Sequence, residues 1–181
     1  MDQAFIEQLV RDVEAYADMH GGRIYSAIDH PAFDHVAFQH GPERFKPIAD
    51  NMPAGMTTGL DIGSHWGYFS HMLERLGLKV TATEILPSYL DFLTRLKSLY
   101  SDEFEIWPQS VFEMKGAIKY DVVLSLNILH HFIKTEKLHD DLTDFLNRLD
   151  CKVMFFQSHS VKEGQMSDAY RNYNPTDFCE L

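Results

Sequence analysis

Apolar side chains recur at Phe5, Ile6, Leu9, Val10, Val13, Tyr16 and Ala17. That is the spacing of one helix face, so residues 2–19 predict an amphipathic helix, ended by His20-Gly21-Gly22. Residues 26–41 carry Pro31, several aromatics and histidines with no clear period, and predict a connection or short helical turns. A short helix is expected over 43–52, broken by Pro53-Ala54-Gly55. The pattern then changes to strand-length apolar runs separated by helical ones. Strands are predicted at 58–62, 79–84, 103–107, 120–126 and 152–157. Residues 120–126, Tyr-Asp-Val-Val-Leu-Ser-Leu, are nearly all apolar, which fits a strand buried on both faces of a parallel sheet. Helices are expected from Gly67 to Leu76, from Pro87 at a first helical position to Tyr100, and over 136–149. Beyond Ser158 the pattern fades. Tyr170, Tyr173, Pro175 and Phe178 suggest a short helix and a tail.

The turn after the first sheet strand organises the rest. Leu60-Asp61-Ile62-Gly63-Ser64-His65-Trp66-Gly67 runs from strand to helix, and Gly63 permits a sharp turn or close approach to a ligand. Such a turn presents backbone N–H groups and a helix N-terminus above the sheet. About 20 residues later the second strand ends in Glu84, the spacing at which a carboxylate accepts hydrogen bonds from ribose hydroxyls. The alternative for Glu84 is to cap the helix that begins near Pro87.

Three segments, LDIGSHWGYFSHMLERLG, VTATEILP and YDVVLSLNILHHF, are similar in order and separation to motifs I, II and IV of class I S-adenosylmethionine-dependent methyltransferases. The likeness covers roughly residues 58–157. It implies an α/β, Rossmann-like, doubly wound and mostly parallel sheet in the order 3-2-1-4-5. Residues 1–55 would be a helical extension or lid, and 56–181 the cofactor-binding domain. The resemblance implies backbone contacts from Gly63 and Gly67 to the amino-acid end of the cofactor, with Ser64 and His65 in the same loop. Asp61 would orient the loop or reach the ammonium through water. Glu84 would hold the ribose. Ile85 and Val111 or Phe112 would flank the adenine, Gln109 and Ser110 would meet its amine, and Asn127 would contact the methionine part. The chain departs from the pattern at His65, which replaces the middle glycine, and after the third strand, where the usual aspartate is absent. The superfamily's sheet closes with an antiparallel hairpin. The roughly two dozen residues after Gln157 are too few for it, so the fifth strand is expected to be an exposed edge unless the tail or a partner covers it.

Catalytic candidates follow the fourth strand. His130 and His131 lie at the carboxyl end of the sheet, and an imidazole suits proton removal from a hydroxyl acceptor near neutrality. His131 is preferred, since Asn127 and His131 share a face if the segment is helical. In the extension, Tyr25, Phe33, His35, Phe38 and Arg44 are candidate lid residues, with packing or a surface charge as the plainer alternatives.

Composition narrows the function. The chain has 181 residues, 45% of them hydrophobic, enough for a single domain with a core. Its formal charge of −11 argues against nucleic acid as acceptor and leaves a small molecule, a glycan or another non-nucleic-acid acceptor. Cys151 and Cys179 form neither a disulfide framework nor a zinc pattern, and His30, His35 and His40 are wrongly spaced for a shared helix face, so no structural metal is expected. A cytoplasmic protein without membrane span is expected, as is a homodimer through the fifth strand's edge or the C-terminal tail. Two function classes stand: a methyltransferase acting on oxygen or nitrogen, or a degenerate nucleotide-binding module that serves in binding or assembly.

Overall fold

Side chains alternate between the two faces of the central strands and build two apolar layers. Leu60 and Ile62 pack on one side of the sheet, with Val123, Leu142 and Phe145. Val122 and Leu124 pack on the other, with Phe69, Leu73, Val80 and Ala82. Such a strand must be covered on both faces, and helices cover both. The structure, a computed structural model, describes residues 2–181.

The elements are α1 (Gln3–Met19), β1 (Ile24–Ser26), β2 (Phe38–His40), α2 (Lys46–Asp50), β3 (Thr58–Ile62), α3 (Tyr68–Arg75), β4 (Lys79–Thr83), α4 (Pro87–Tyr100), β5 (Glu105–Trp107), β6 (Ile118–Leu126), α5 (Glu136–Arg148), β7 (Leu149–Gln157) and α6 (Pro175–Cys179). The main sheet has the order β5-β4-β3-β6-β7, and every pairing in it is parallel. This is the expected order, and the five expected strands are its members.

Several boundaries differ from the sequence reading for local reasons. The third strand of the sheet begins at Glu105 instead of 103, because the N–H groups of Glu103 and Phe104 donate to the Glu74 carboxylate at 2.7 and 3.3 Å. The helix expected to end at Leu149 stops at Arg148, and Leu149 turns extended to start β7. Residues 26–41, read as a connection, contribute to a second, two-stranded parallel sheet of β1 and β2. Strands of three residues are too short to show a period.

The N-terminal segment shares a core with the sheet domain. Leu9, Val13, Ala17, Ile24, Phe33 and Val36 cluster with Trp66, Leu96 and Leu99. Asp12 accepts from Arg95 Nη2 at 2.6 Å, joining α1 to α4. At the other end of the chain, the N–H groups of Tyr170 and Arg171 donate to Lys134 and Ile133 carbonyls, and Phe178 lies 5.3 Å from Phe156. The tail thus covers a face of β7. Its outer edge pairs with no strand among the described residues.

Gly67 joins the glycine turn to α3. Its φ is +82°, and a Cβ there would lie 2.4 Å from Cδ1 of the fully buried Leu93. Gly67→Ala adds left-handed backbone strain to overpacking. It is expected to cost about 2–4 kcal/mol in urea denaturation, against less than about 1 kcal/mol for alanine at an exposed glycine in open space such as Gly164.

Candidate functional site

Glycine turn, β4 end and β6 end meet above the carboxyl edge of the sheet. There they line a cavity of about 700 Å3. Sites of open parallel sheets form at this edge, where strand order reverses, here between β3 and β6. The volume suits a nucleoside-sized ligand.

Glu84 is the hub of one wall. It is 7% exposed. Its Oε2 accepts from the His65 N–H at 3.1 Å, and its Oε1 accepts from Ile85 N–H at 2.7 Å and Leu86 N–H at 2.9 Å. The carboxylate therefore both braces the glycine turn and caps the entry to α4. Oε1 is saturated by its two N–H donors, while Oε2, with one, retains acceptor capacity. Ile85 stands 58% exposed beside it, and Gln109, Ser110 and Val111 line the same space.

Two non-glycine residues on the cavity wall have left-handed backbones, His65 at φ +55° and Asn127 at φ +57°. Asn tolerates this region better than most residues. Asn127 N–H donates to Gln157 carbonyl at 2.9 Å, tying the ends of β6 and β7 together. His65 is held by its aromatic neighbours: ring centroids of Tyr89, Tyr25 and Trp66 lie 4.3, 5.2 and 5.3 Å away. Burial pushes its pKa down to about 4, so the ring is neutral at pH 7.

Gly63, His65, Glu84, Ile85, Gln109, Ser110, Val111, Asn127 and His131 all line the cavity. Five predicted residues do not, among them Phe112, whose ring packs against Phe132 and Phe145. Gly67 is packed behind it against Leu93. Asp61 and Ser64 line a separate, smaller cavity behind the turn. His130 is buried in a stack of three imidazoles, 4.0 Å from His131 and 5.1 Å from His159 between ring centroids. Burial first, then His131 and His159, push the His130 pKa down to about 4. Burial and Lys134 lower that of His131 as well.

Asp61 points from β3 to α3 and accepts from Ser70 Oγ at 2.6 Å. Burial lifts its pKa to about 6, against the opposing Ser70 hydrogen bonds, and nearby Glu84 adds to the rise.

The N-terminal segment supplies cavity residues that pattern reading gave to the core or to no role. Tyr16, His20, Arg23 and Gln39 join Tyr25 on the wall. Tyr16 continues the helical stripe of α1, so its period says core while its position at the end of the helix brings it to the site. Of the other lid candidates, Phe33 is buried with α1, His35 bonds Glu14 at 2.8 Å on the surface, and Phe38 is 45% exposed. Arg44 lines the smaller cavity. Among the described residues, no group of three or more His, Cys, Asp or Glu is arranged to hold a metal.

No family model matches the sequence, and no curated protein sequence matches it significantly. Solved structures do match. The crystal structure of monomeric WbdD superposes with a TM-score of 0.71 at 18% identity, over 88% of this chain and 41% of that one. A structure described as the bifunctional kinase-methyltransferase WbdD gives 0.66 at 19% identity, over 88% and 36%. The PH0226 protein from Pyrococcus horikoshii OT3 gives 0.55 at 16% identity, over 74% and 59%. The chain spans about two fifths of the WbdD chains it matches. It shares with these structures a Rossmann-like fold, and among the described residues no helix is long and apolar enough to cross a membrane.

The Asp61 pKa has a signed consequence. The folded value, about 6, lies above the ordinary 3.8, so the native state holds this proton more tightly than the unfolded chain. Its contribution is therefore most favourable below pH 4 and is lost as pH rises toward and past 6. Asp61→Asn retains an oxygen for Ser70 and removes the titration. Urea denaturation from pH 4 to 8 is expected to show the variant gaining about 1–3 kcal/mol on the wild type across that window.

Proposed function

We propose that this chain is an S-adenosylmethionine-dependent methyltransferase core that acts on a small-molecule or glycan acceptor. The observation that carries the reading is Glu84: a buried carboxylate at the end of β4, hydrogen-bonded to the glycine turn of β3, on the wall of a nucleoside-sized cavity at the strand-order reversal. The residues present fit the cofactor. Glu84 Oε2 offers an acceptor for a ribose hydroxyl. Ile85 and Val111 offer apolar faces for the adenine, with Gln109 and Ser110 at its rim for the amine. The turn at Gly63 offers backbone to the amino-acid end. The fold shared with a bifunctional kinase-methyltransferase is compatible with this reading.

Bound there, S-adenosylmethionine supplies a methyl group already activated by its sulfonium. The protein's work is then largely orientation. Asn127 and the glycine turn fix the approach line between them. The acceptor enters from the side of His131, whose neutral imidazole takes the proton that a hydroxyl or ammonium acceptor must lose. Its lowered pKa keeps it unprotonated at pH 7. The acceptor class rests on charge: at −11 the chain repels phosphate backbones.

Calorimetry with S-adenosylhomocysteine and with NAD tests the cofactor. Binding of the first and not the second is expected, and the reverse sinks the proposal. Glu84→Ala should weaken S-adenosylhomocysteine by about 1.5–3 kcal/mol, the range for hydrogen bonds to a charged group. It should also lower stability by about 1–2 kcal/mol, since three N–H groups lose their partner.

The base is tested separately, by production of S-adenosylhomocysteine with an accepted substrate. His131→Gln should reduce turnover about 10²–10⁴-fold with cofactor affinity intact. His130→Gln should act mainly on stability. Cofactor binding with no methyl transfer to any hydroxyl or amine acceptor would instead favour a binding module.

A further inference from the structure

The cofactor reading takes up one part of the large cavity's wall: the glycine turn, the ends of β4 and β6, and residues 109–111. The remainder comes from the N-terminal segment, through Tyr16, His20, Arg23, Tyr25 and Gln39. These residues border the same space as His131 and are matched to no part of the cofactor.

Arg23 differs from every other arginine in the chain. Of seven arginines, the other six each bond a carboxylate, amide, carbonyl or hydroxyl oxygen. The Arg23 guanidinium has no hydrogen bond or ion pair among the described residues, although the chain holds 27 acidic side chains against 16 basic ones. It is also the only Lys or Arg on the cavity wall. The one carboxylate on that wall, Glu84, is engaged by three backbone N–H groups. An unpaired cation lining the cavity of an acidic protein is a counter-charge for what enters.

His20 supplies the complementary feature. Its ring lies on that of Tyr16, with centroids 3.9 Å apart and 16° between the planes. Its Nδ1 meets the Tyr16 carbonyl at 2.7 Å. A carbonyl only accepts, so Nδ1 carries the proton, and Nε2 of the neutral ring is a bare acceptor. The turn at Gly21-Gly22 brings this acceptor and the Arg23 donors to one wall. A ligand that fits both presents a hydroxyl to the imidazole and an anion to the guanidinium, whose planar fork suits a carboxylate. One cation in a chain of formal charge −11 favours a ligand with one negative charge over one with two. The faces of Tyr16 and Tyr25 give a ring something flat to lie against.

We propose that this N-terminal wall binds the methyl acceptor, and that the acceptor is a hydroxylated carboxylic acid such as an acidic sugar, with its carboxylate on Arg23 and one hydroxyl on His20. This rests on the methyltransferase reading above and narrows its acceptor class. Arg23 becomes the residue that sets specificity.

Matched sugars test it. Glucuronate and glucose differ in the carboxylate and share the ring hydroxyls. In nuclear magnetic resonance titrations of the protein saturated with S-adenosylhomocysteine, glucuronate should bind at least about tenfold tighter than glucose. Arg23 is exposed, so Arg23→Gln should unfold at the wild-type urea midpoint. It should bring the two sugars within about twofold of each other and leave S-adenosylhomocysteine affinity unchanged. His20→Phe keeps a ring on Tyr16 and loses the acceptor; it should weaken both sugars about 3–10-fold and preserve their ratio. A wild type that binds neither sugar or prefers neither, or a preference that survives Arg23→Gln, overturns the acceptor seat. Tighter binding of glucose 6-phosphate than of glucuronate overturns the assignment of a carboxylate. A wild type that fails to bind S-adenosylhomocysteine overturns the cofactor reading instead, and the same sugar titrations on the unliganded protein then judge Arg23 by themselves.

Discussion

Glu84 accepts backbone N–H groups from two places in the chain: from His65, in the turn after β3, and from Ile85 and Leu86, at the entry to α4. By accepting from both loops at once, the carboxylate fixes their mutual position. The cavity wall follows from that position. One buried negative charge is costly unless hydrogen bonds surround it. Here three backbone donors do so, and the same arrangement leaves the acid on the cavity wall. Capping and ligand binding, which a sequence reading treats as alternatives, are compatible in one side chain.

The turn itself is built under strain. His65 adopts a left-handed backbone that glycine would adopt freely, and it does so inside a cage of Tyr25, Trp66 and Tyr89. Such conformations persist where surrounding packing over-determines them. Part of that packing comes from the N-terminal segment, through Tyr25 and the Tyr16–Trp66 contact at 4.8 Å. The segment buries Leu9 and Val13 completely against α4 and its neighbours. A piece so anchored acts as a fixed wall of the site and contributes residues to both cavities.

Polarity is distributed unevenly. The chain is strongly acidic, yet Glu84 is the one carboxylate among the residues lining the large cavity, and all its oxygens are hydrogen-bonded. The remaining polar wall is imidazole, amide, hydroxyl and one guanidinium, that of Arg23. Burial disfavours the charged form of two of these imidazoles, His65 and His131.

Much of this was legible along the chain. Strand-length apolar runs, the glycine turn and the acid some twenty residues later mark the five strands and the turn, because period and turn chemistry are local properties; the strand order was implied only by the resemblance to class I methyltransferases and is decided by long-range pairing. Boundaries at 103 and 149 were not legible, since a carboxylate from α3 and the extended backbone of Leu149 set them. Nor was the β1–β2 sheet, whose strands are too short to carry a period. The exchange of roles among neighbours lay further out of reach. Gly63 and His65 face the large cavity, Ser64 faces the small one, and Gly67 packs on Leu93. His131 reaches the cavity wall while His130 is buried. Adjacent residues in a turn diverge by backbone angles that only the assembled packing selects. The unpartnered nitrogens of Arg44 and Trp66 likewise come together only once the segment before α2 and the glycine turn meet from separate parts of the sequence, so the chain determined the strands and tertiary structure alone decided the shape and lining of the site.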